Sequence, residues 1–179
     1  IVGDSSFEGN SLGPGGYAYD LAPEWTGTNG SNNGSAFEEY ITGFAADGTD
    51  HLGMENNYDV WQDVGTYQAD TAYTLTVAVG HRSGLTQAGN LSQYLLADPD
   101  GIVYATGSFD ASTLPPQTFA DAPALVFTTP ANPAAIGKTL RIRLRSGGNG
   151  RSHFDHIRLD ASPTTIPGAA VVGDLSATN

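Results

Sequence analysis

Strict alternation of apolar and polar residues is the feature that most limits the folds open to this chain. Residues 73–82, YTLTVAVGHR, place an apolar side chain at every odd position as far as Val79. Residues 140–145, LRIRLR, place apolar side chains at even positions and arginines at odd ones. Because successive side chains of a strand point to opposite faces, both segments predict strands with one buried face.

Weaker versions of the same pattern predict further strands at 1–8, around Leu52 and Met54, and at 58–64, 92–97, 101–107 and 123–129. Asp98-Pro99-Asp100-Gly101 predicts the turn of a hairpin, since proline presets a turn φ and glycine accepts a positive one. Residues 35–44 differ, because a Ser-x-x-Glu capping box precedes apolar residues at helical spacing. They predict a short surface helix, or an irregular loop that imitates one.

Many short strands with almost no helix predict an all-β fold. We expect a two-sheet antiparallel jelly-roll β-sandwich of the galactose-binding-like type, with at most one short helix. An immunoglobulin-type sandwich is the alternative topology. A chain of 179 residues suits a single domain, which we place at residues 1–160. Residues 161–179 lack periodicity, and we interpret them as a C-terminal linker toward a further module.

Composition excludes several kinds of function. The chain has no cysteine, so disulfides, thiolate catalysis and cysteine-ligated zinc are ruled out. Its net charge of −12 argues against binding nucleic acid or anionic membranes. No window approaches the ~18 apolar residues of a membrane span, and the N-terminus lacks signal-peptide order. We therefore expect a soluble module whose export signal has been removed.

Asp155 is out of place in the predicted last strand, RSHFDHIRLD. If that strand alternates, Asp155 lies on the same face as Ile157 and Leu159. A carboxylate on the buried face needs compensation for its lost hydration. Glu8, at the end of the first predicted strand, could share a calcium ion with it. The alternative is that Asp155 accepts hydrogen bonds from backbone amides or pairs with an arginine.

The opening IVGDSSFE and the closing HFDHIRL resemble jelly-roll carbohydrate-binding modules of families four, sixteen and twenty-two. The chain is still more similar to single jelly-roll modules of exported bacterial proteins with Pro-Glu-Pro sorting tails. The segments that correspond follow the same order here: Phe7-Glu8, Asp47-Gly48, Gln62, 73–80 and 154–159. In the first group, the opening glutamate and closing aspartate commonly bind structural calcium. The resemblance therefore implies calcium at Glu8 and Asp155, although this chain has Asp4 and His156 where asparagine and a second aspartate are usual.

The segment YDVWQDV suggests a place for a ligand. If Val60, Gln62 and Val64 face the core, Trp61 faces solvent between two acids, Asp59 and Asp63. An exposed indole flanked by carboxylates is typical of sugar contact, although a ring packed under a loop would give the same pattern. We also consider Trp25, although such a residue more often anchors a core or loop.

Arginines form a second candidate surface. If the 73–82 and 140–145 strands share a sheet, Arg82, Arg141 and Arg143 would line one groove as hydrogen-bond donors. A solvated stripe that balances an acidic surface is the alternative. The histidines His51, His81, His153 and His156 show no metal-ligand spacing such as HExxH.

Motifs of catalysis are absent from the sequence, including GxSxG, the P-loop and the glucanase and alginate-lyase spellings. We therefore expect a non-catalytic module, not an enzyme, that binds a polysaccharide or oligosaccharide and contacts neighbouring domains of its parent chain. It would be a secreted or cell-surface bacterial protein. A structural or adhesion module without sugar binding is the alternative, and a polysaccharide-degrading enzyme is a third reading.

Overall fold

The computed structural model describes residues 2–27, 36–84, 91–131, 134–147 and 150–164, which form the predicted β-sandwich of two antiparallel sheets. The strands of this part of the chain are β1 (Tyr17–Ala18), β2 (Thr26–Gly27), β3 (Ala36–Tyr40), β4 (Asp50–Met54), β5 (Asp59–Thr66), β6 (Thr71–His81), β7 (Leu91–Ala97), β8 (Val103–Asp110), β9 (Thr118–Asp121), β10 (Leu125–Thr128), β11 (Thr139–Gly147) and β12 (Ser152–Pro163). Ala111–Thr113 form a single 3₁₀ turn.

The two sheets bring distant parts of the sequence together. Sheet A has the order β1-β3-β4-β12-β6-β10, with β9 also paired to β6. Sheet B has the order β2-β5-β11-β7-β8. The final strand β12 therefore lies in the middle of sheet A, between β4 and β6. This position makes β12 the strand best placed to join side chains from both halves of the chain.

The alternating segments bury the faces that their sequence predicts. Their apolar residues meet in one core between the sheets: Tyr73, Leu75, Val77 and Val79 of β6, and Leu140, Ile142 and Leu144 of β11. All of these side chains are almost fully buried. The predicted hairpin at 98–101 is also present and joins β7 to β8, with Gly101 at a φ of 91°.

Two local predictions are wrong. The segment expected to be helical forms strand β3 as far as Tyr40, because its backbone pairs with β4 from Ala36 to Tyr40. Its proposed cap Ser35 lies outside the described residues. Residues 2–8, expected to be a strand, form turns instead, and Asp4 and Phe7 have positive φ angles of 40° and 56°. Tertiary pairing overrides the local pattern in the first segment. In the second, local turn bonds such as that from the Phe7 amide to the Asp4 carbonyl replace strand pairing.

A β-bulge in β12 explains which face of sheet A carries Asp155. Asp155 pairs with Ala78 and Arg158 with Thr76, so β12 has one extra residue there, and His156 has a φ of 46°. Phe154 and Ile157 consequently both point into the core, and Asp155 points to the outer face. The prediction that Asp155 and Ile157 share a face is wrong because strict alternation does not hold across the bulge.

The predicted linker begins inside β12, which continues to Pro163, and residues 165–179 lie outside the described residues. Where the chain is described, it contains no helix with the length and hydrophobicity needed to cross a membrane.

Candidate active site

The outer face of sheet A carries an ordered row of side chains across five strands. Strand pairing aligns Phe37 with Gly53, His153 with Gly53 and Gly80, and Gly80 with Phe119. The glycines give the rings room, since a Cβ at Gly80 would come within 2.5 Å of the Phe119 ring. His153 therefore lies between two glycines, each covered by a phenylalanine from an adjacent strand.

A cavity of about 190 Å³ opens at the β1–β3 end of this face. Three aromatic rings line it: Tyr17 and Tyr19 meet edge to face at 5.2 Å, and Tyr19 meets Phe37 at 6.2 Å. Tyr17 and Tyr19 are 60% and 45% exposed, so their ring surfaces are open to solvent. The cavity is therefore suited to a flat apolar molecule.

Two ion pairs complete the lining of the cavity. Arg82 Nη1 donates to Glu39 Oε2 at 2.8 Å, and Arg151 Nη2 lies 2.6 Å from Glu55 Oε1. The guanidinium of Arg151 also lies over the Phe37 ring, 5.2 Å from its centroid. Burial raises the pKa of Glu39, and Arg82 and Arg151 only partly oppose that effect. A carboxyl group of this kind can exchange a proton with a bound molecule.

Beneath Glu39 lie two histidines that are fully buried. His51 Nε2 is 3.8 Å from Glu39 Oε2, and the His51 and His153 rings are 5.3 Å apart. Burial lowers the pKa of His51 to about 3, with a smaller contribution from Arg82. Burial also lowers the pKa of His153 well below its ordinary value. Both rings are therefore neutral at physiological pH. Glu39, His51 and His153 form a group able to hold a metal ion.

Among the predicted ligand-binding residues, only Arg82 lines this cavity. Trp61, Asp59, Asp63, Arg141 and Arg143 lie on β5 and β11 in sheet B. The expectation that Arg82 shares a groove with Arg141 and Arg143 is wrong, because β6 and β11 belong to different sheets.

The sheet B residues pair with one another. Arg141 Nε donates to Asp63 Oδ1 at 2.6 Å, and Arg143 Nη2 donates to Asp59 Oδ2 at 2.5 Å. Trp61 is partly exposed, as its parity predicts. These contacts favour the interpretation of the arginines as a stripe that neutralises neighbouring acids. Whether this surface binds a ligand stays a prediction.

Trp25 is a core residue, which corrects its inclusion among the candidate ligand contacts and agrees with the anchoring role that such residues more often have. Its side chain is only 2% exposed, and its ring lies 5.1 Å from that of Phe7. Its Nε1 donates to the carbonyl of Asp4 at 3.0 Å. The ring therefore anchors the N-terminal turns to the sandwich.

Glu8 and Asp155 both hold the loop at 46–50. Asp155 Oδ2 accepts from the amides of Ala46 at 2.6 Å and Asp47 at 3.0 Å, and Oδ1 accepts from that of His156 at 2.7 Å. Glu8 Oε1 accepts from the amides of Thr49 at 2.6 Å and Asp50 at 2.7 Å. Burial raises the pKa of Asp155 to about 7, although the amides oppose it. Backbone amides are thus partners of Asp155, as the alternative interpretation predicts, and the expected calcium at Glu8 and Asp155 stays a prediction.

The cavity has no clear signature in the sequence. Tyr17, Tyr19 and Glu39 lie on or beside short strands that alternation does not predict, and Phe37 and Glu39 lie where a helix is expected. The two buried histidines are about a hundred residues apart in the chain and meet because β4 and β12 are neighbours. His51 and His153 each stand one position before a buried apolar residue, so alternation places them on the opposite, outer face of the sheet. This is the one sequence signal that could have found them, and it does not say which strands are neighbours.

Solved structures with this fold include both enzymes and binding modules. An apo cyclase from Fischerella sp. superposes with a TM-score of 0.77 at 20% identity, covering 93% of this chain and 97% of that one. A Stig cyclase, Fisc, from Fischerella sp. TAU in complex with (3Z)-3-(1-methyl-2-pyrrolidinylidene)-3H-indole gives 0.76 at 21% identity, with coverages of 92% and 98%. The carbohydrate-binding module TmCBM61, in complex with beta-1,4-galactotriose, gives 0.53 at 8% identity, with coverages of 89% and 96%. Among curated proteins, no significant match was found.

The family assignment overturns the functional prediction made from sequence. The jelly-roll architecture is shared with carbohydrate-binding modules, as the resemblance implied. However, the HpiC1-like model, described as HpiC1 cyclase, matches residues 1–160. The predictions of a non-catalytic module and of a polysaccharide partner are therefore wrong, because short fold-level motifs specify architecture better than ligand. Since the match spans most of its length, this chain belongs to the HpiC1-like cyclase family.

Proposed function

We propose that the cavity on sheet A is the active site of a small-molecule cyclase. The observation that carries this proposal is Glu39, a largely buried acid of raised pKa beside the aromatic rings of the cavity. Its substrate would carry a flat apolar group of about indole size. Two of the similar Fischerella structures hold indole compounds, one of them 4-(1H-indol-3-yl)butan-2-one.

The size of the cavity supports a substrate of this class. Its volume of about 190 Å³ is somewhat larger than the apolar cavity of about 150 Å³ that accommodates benzene in another protein. It is too small to enclose a polysaccharide chain.

The residues of the cavity suggest how a ring could be closed. Cyclisation is an isomerisation: a proton adds to one atom of the substrate, a new bond closes the ring, and a proton leaves from another atom. Glu39 would exchange that proton, and Arg82 would hold its carboxyl group in place. The faces of Tyr17, Tyr19 and Phe37 would stabilise positive charge on the substrate through cation–π attraction.

Calorimetric titration with 4-(1H-indol-3-yl)butan-2-one tests the location of the site. Phe37→Ala should weaken binding about ten-fold, the equivalent of ~1.4 kcal/mol of lost ring contact. Trp61→Ala, which removes an aromatic ring from the opposite sheet, is the matched control and should change nothing. Loss of binding in Trp61→Ala with normal binding in Phe37→Ala would move the site to sheet B.

Turnover is measured separately by chromatography with mass detection on indoles that carry a pendant alkene. A cyclised product keeps the mass of its substrate and changes its retention time. Glu39→Gln should slow the reaction by about 100-fold or more, the usual contribution of general acid–base catalysis. An unchanged rate in that variant would exclude Glu39 as the proton-exchanging group.

We also propose that calcium binds at Glu8 and Asp155. Both carboxylates hold the same loop, and each has lone pairs beyond those used by the amides. Calcium takes six to eight oxygen ligands, to which loop carbonyls can contribute. EGTA should then lower the melting temperature, and Glu8→Gln should remove that dependence, whereas the surface control Asp63→Asn should retain it. Melting that is indifferent to EGTA and to calcium would contradict this site.

A secreted or cell-surface location also stays a proposal.

A further inference from the structure

Four buried ring nitrogens on the outer face of sheet A have no hydrogen-bond partner among the described residues. They are Nδ1 and Nε2 of His51 and the same two atoms of His153. Both side chains are 0% exposed. Buried polar atoms are almost always paired, and an unpaired one usually costs about 1–3 kcal/mol. Four such atoms in two adjacent rings therefore require an explanation.

The surrounding rings fix the two histidines in place. Phe44 packs against His51 at 4.9 Å and against His153 at 5.6 Å, and Phe119 packs against His51 at 5.5 Å. Phe44 and Phe119 also contact each other at 4.6 Å. This apolar cover supplies no hydrogen-bonding group. The open direction is toward Glu39, which lines the cavity.

Three potential ligand atoms converge at this point. One nitrogen from each histidine and a carboxylate oxygen of Glu39 all lie within 4.8 Å of one another. We propose that Glu39, His51 and His153 bind a first-row divalent cation of the zinc type at the floor of the cavity. Two imidazoles and a carboxylate are a ligand set of catalytic zinc sites, which leave one position open. Calcium and magnesium, which prefer oxygen ligands, would not suit it.

The surroundings of the two histidines agree with this site. Metal binding needs the neutral form of histidine, and both rings are fully buried against phenylalanine side chains, which disfavours their charged form. Half of the charge of the divalent ion would be compensated by Glu39, which is the only acid of the group. The nearest competitor is Arg82, whose Nη1 is 2.8 Å from the Glu39 oxygen.

The three donor atoms, which lie within 4.8 Å of one another, must come closer together to coordinate one ion. Donor atoms about 2.1 Å from a tetrahedral zinc ion are about 3.4 Å apart. Glu39 Oε2 and His51 Nε2 are already 3.8 Å apart. Glu39 is the long and partly exposed member of the group, so rotation of its side chain, with release of Arg82, would bring its carboxylate closer to the two rings.

Calorimetric titration of the chelator-treated full chain with zinc chloride tests the proposal without any measurement of turnover. We expect one zinc ion per chain, undisturbed by excess calcium. His153→Phe and Glu39→Gln should each weaken binding by at least about 100-fold, since loss of even an outer partner of a ligand can cost about 10–100-fold. His156→Asn is the matched control, because it removes a histidine three residues away on the same strand.

Arg82→Met should raise the affinity for zinc, whereas misfolding could only lower it. Removal of the competing cation should tighten zinc binding about five-fold, the equivalent of ~1 kcal/mol for a partly exposed ion pair. Cobalt should show the absorption of a nitrogen-coordinated ion in the wild type and in His156→Asn, but not in His153→Phe. The proposal is overturned if the wild type binds no zinc or if folded Glu39→Gln and His153→Phe bind it as tightly as the wild type. Either result would leave the cyclase proposal standing, because proton exchange by Glu39 requires no metal.

Discussion

Arg141 lies over the indole of Trp61, with its guanidinium carbon 5.3 Å from the centroid of the ring. The same arginine pairs with Asp63. The face of Trp61 that the sequence suggested as a sugar-binding surface is therefore in contact with Arg141 of β11. This arrangement accounts for an exposed tryptophan between two acids without invoking a ligand.

Trp61→Ala should have a small effect on stability. It removes a partly exposed ring and a cation–π contact of about 0.5–1 kcal/mol, and it leaves no cavity in the core. We expect the free energy of unfolding to fall by about 1 kcal/mol or less, as measured by urea denaturation. A loss of several kcal/mol would mean that the ring is buried in solution.

Trp25→Ala should have a much larger effect, because that ring is part of the core. Deletion of a buried tryptophan costs about 3–5 kcal/mol. Trp25→Phe is the informative companion, since it keeps an aromatic ring against Phe7 but loses the bond to the Asp4 carbonyl and part of the buried ring volume. It should cost about 1–2 kcal/mol. Equal losses in the two variants would contradict the role assigned to the ring.

Asp59 should make stability depend on pH in acid. Its carboxylate accepts from Arg143 and from Arg145, and burial only partly offsets these bonds, so its pKa is lowered on folding. A lowered folded pKa stabilises the protein above the unfolded value of about 3.9, and that stability is lost as pH falls through the folded pKa. Since Arg145 is 40% exposed, the contribution is screened, and we expect about 1 kcal/mol.

The comparison of wild type with Asp59→Asn measures this contribution. The amide of the variant cannot ionise, so the difference between the two unfolding free energies should be constant near neutrality and should shrink below about pH 4. Added salt should reduce it as well. A paired aspartate usually titrates above about pH 2. A difference between the two unfolding free energies that stays constant down to that pH would show that the ion pairs add nothing to stability.

Gly80→Ala tests the close packing above the outer face of sheet A. The new Cβ would lie 2.5 Å from Phe119 Cζ, so the ring must move away from Phe44 and His51. Overpacking of this kind usually costs about 1–3 kcal/mol. Gly13→Ala is the control, because a Cβ at Gly13 meets nothing within 4 Å. Similar unfolding free energies for the two variants would indicate that Phe119 is loosely held.

The sequence predicts the architecture of this protein much better than its site. Alternation in 73–82 and 140–145 reports which side chains are buried, and burial determines the two-sheet fold. It does not report which strands are neighbours. Arg82 and Arg141 lie in different sheets although the pattern allows them one groove, whereas His51 and His153 are in contact although no spacing associates them.

Local patterns also fail where tertiary contacts decide the backbone. Phe37, Tyr40, Ile41 and Phe44 have helical spacing, yet pairing with β4 makes the first two of them part of a strand. The cavity-lining Phe37 and Glu39 are consequently not recognisable as a pair from the sequence. Their side chains share a face only because the segment is extended.

The extra residue at His156 shifts the alternation of side chains along the last strand, β12. His153 and Asp155 follow one alternation, whereas Ile157 and Leu159 follow another, displaced by a single position. Deletion of that residue would remove the bulge and leave all four side chains on their present faces. If the strand instead kept the residue and lost the bulge, either the histidine and the aspartate would turn into the core, or the isoleucine and the leucine would turn out of it. The outer face of sheet A thus depends on how the backbone accommodates one residue whose own side chain takes no part in the proposed chemistry.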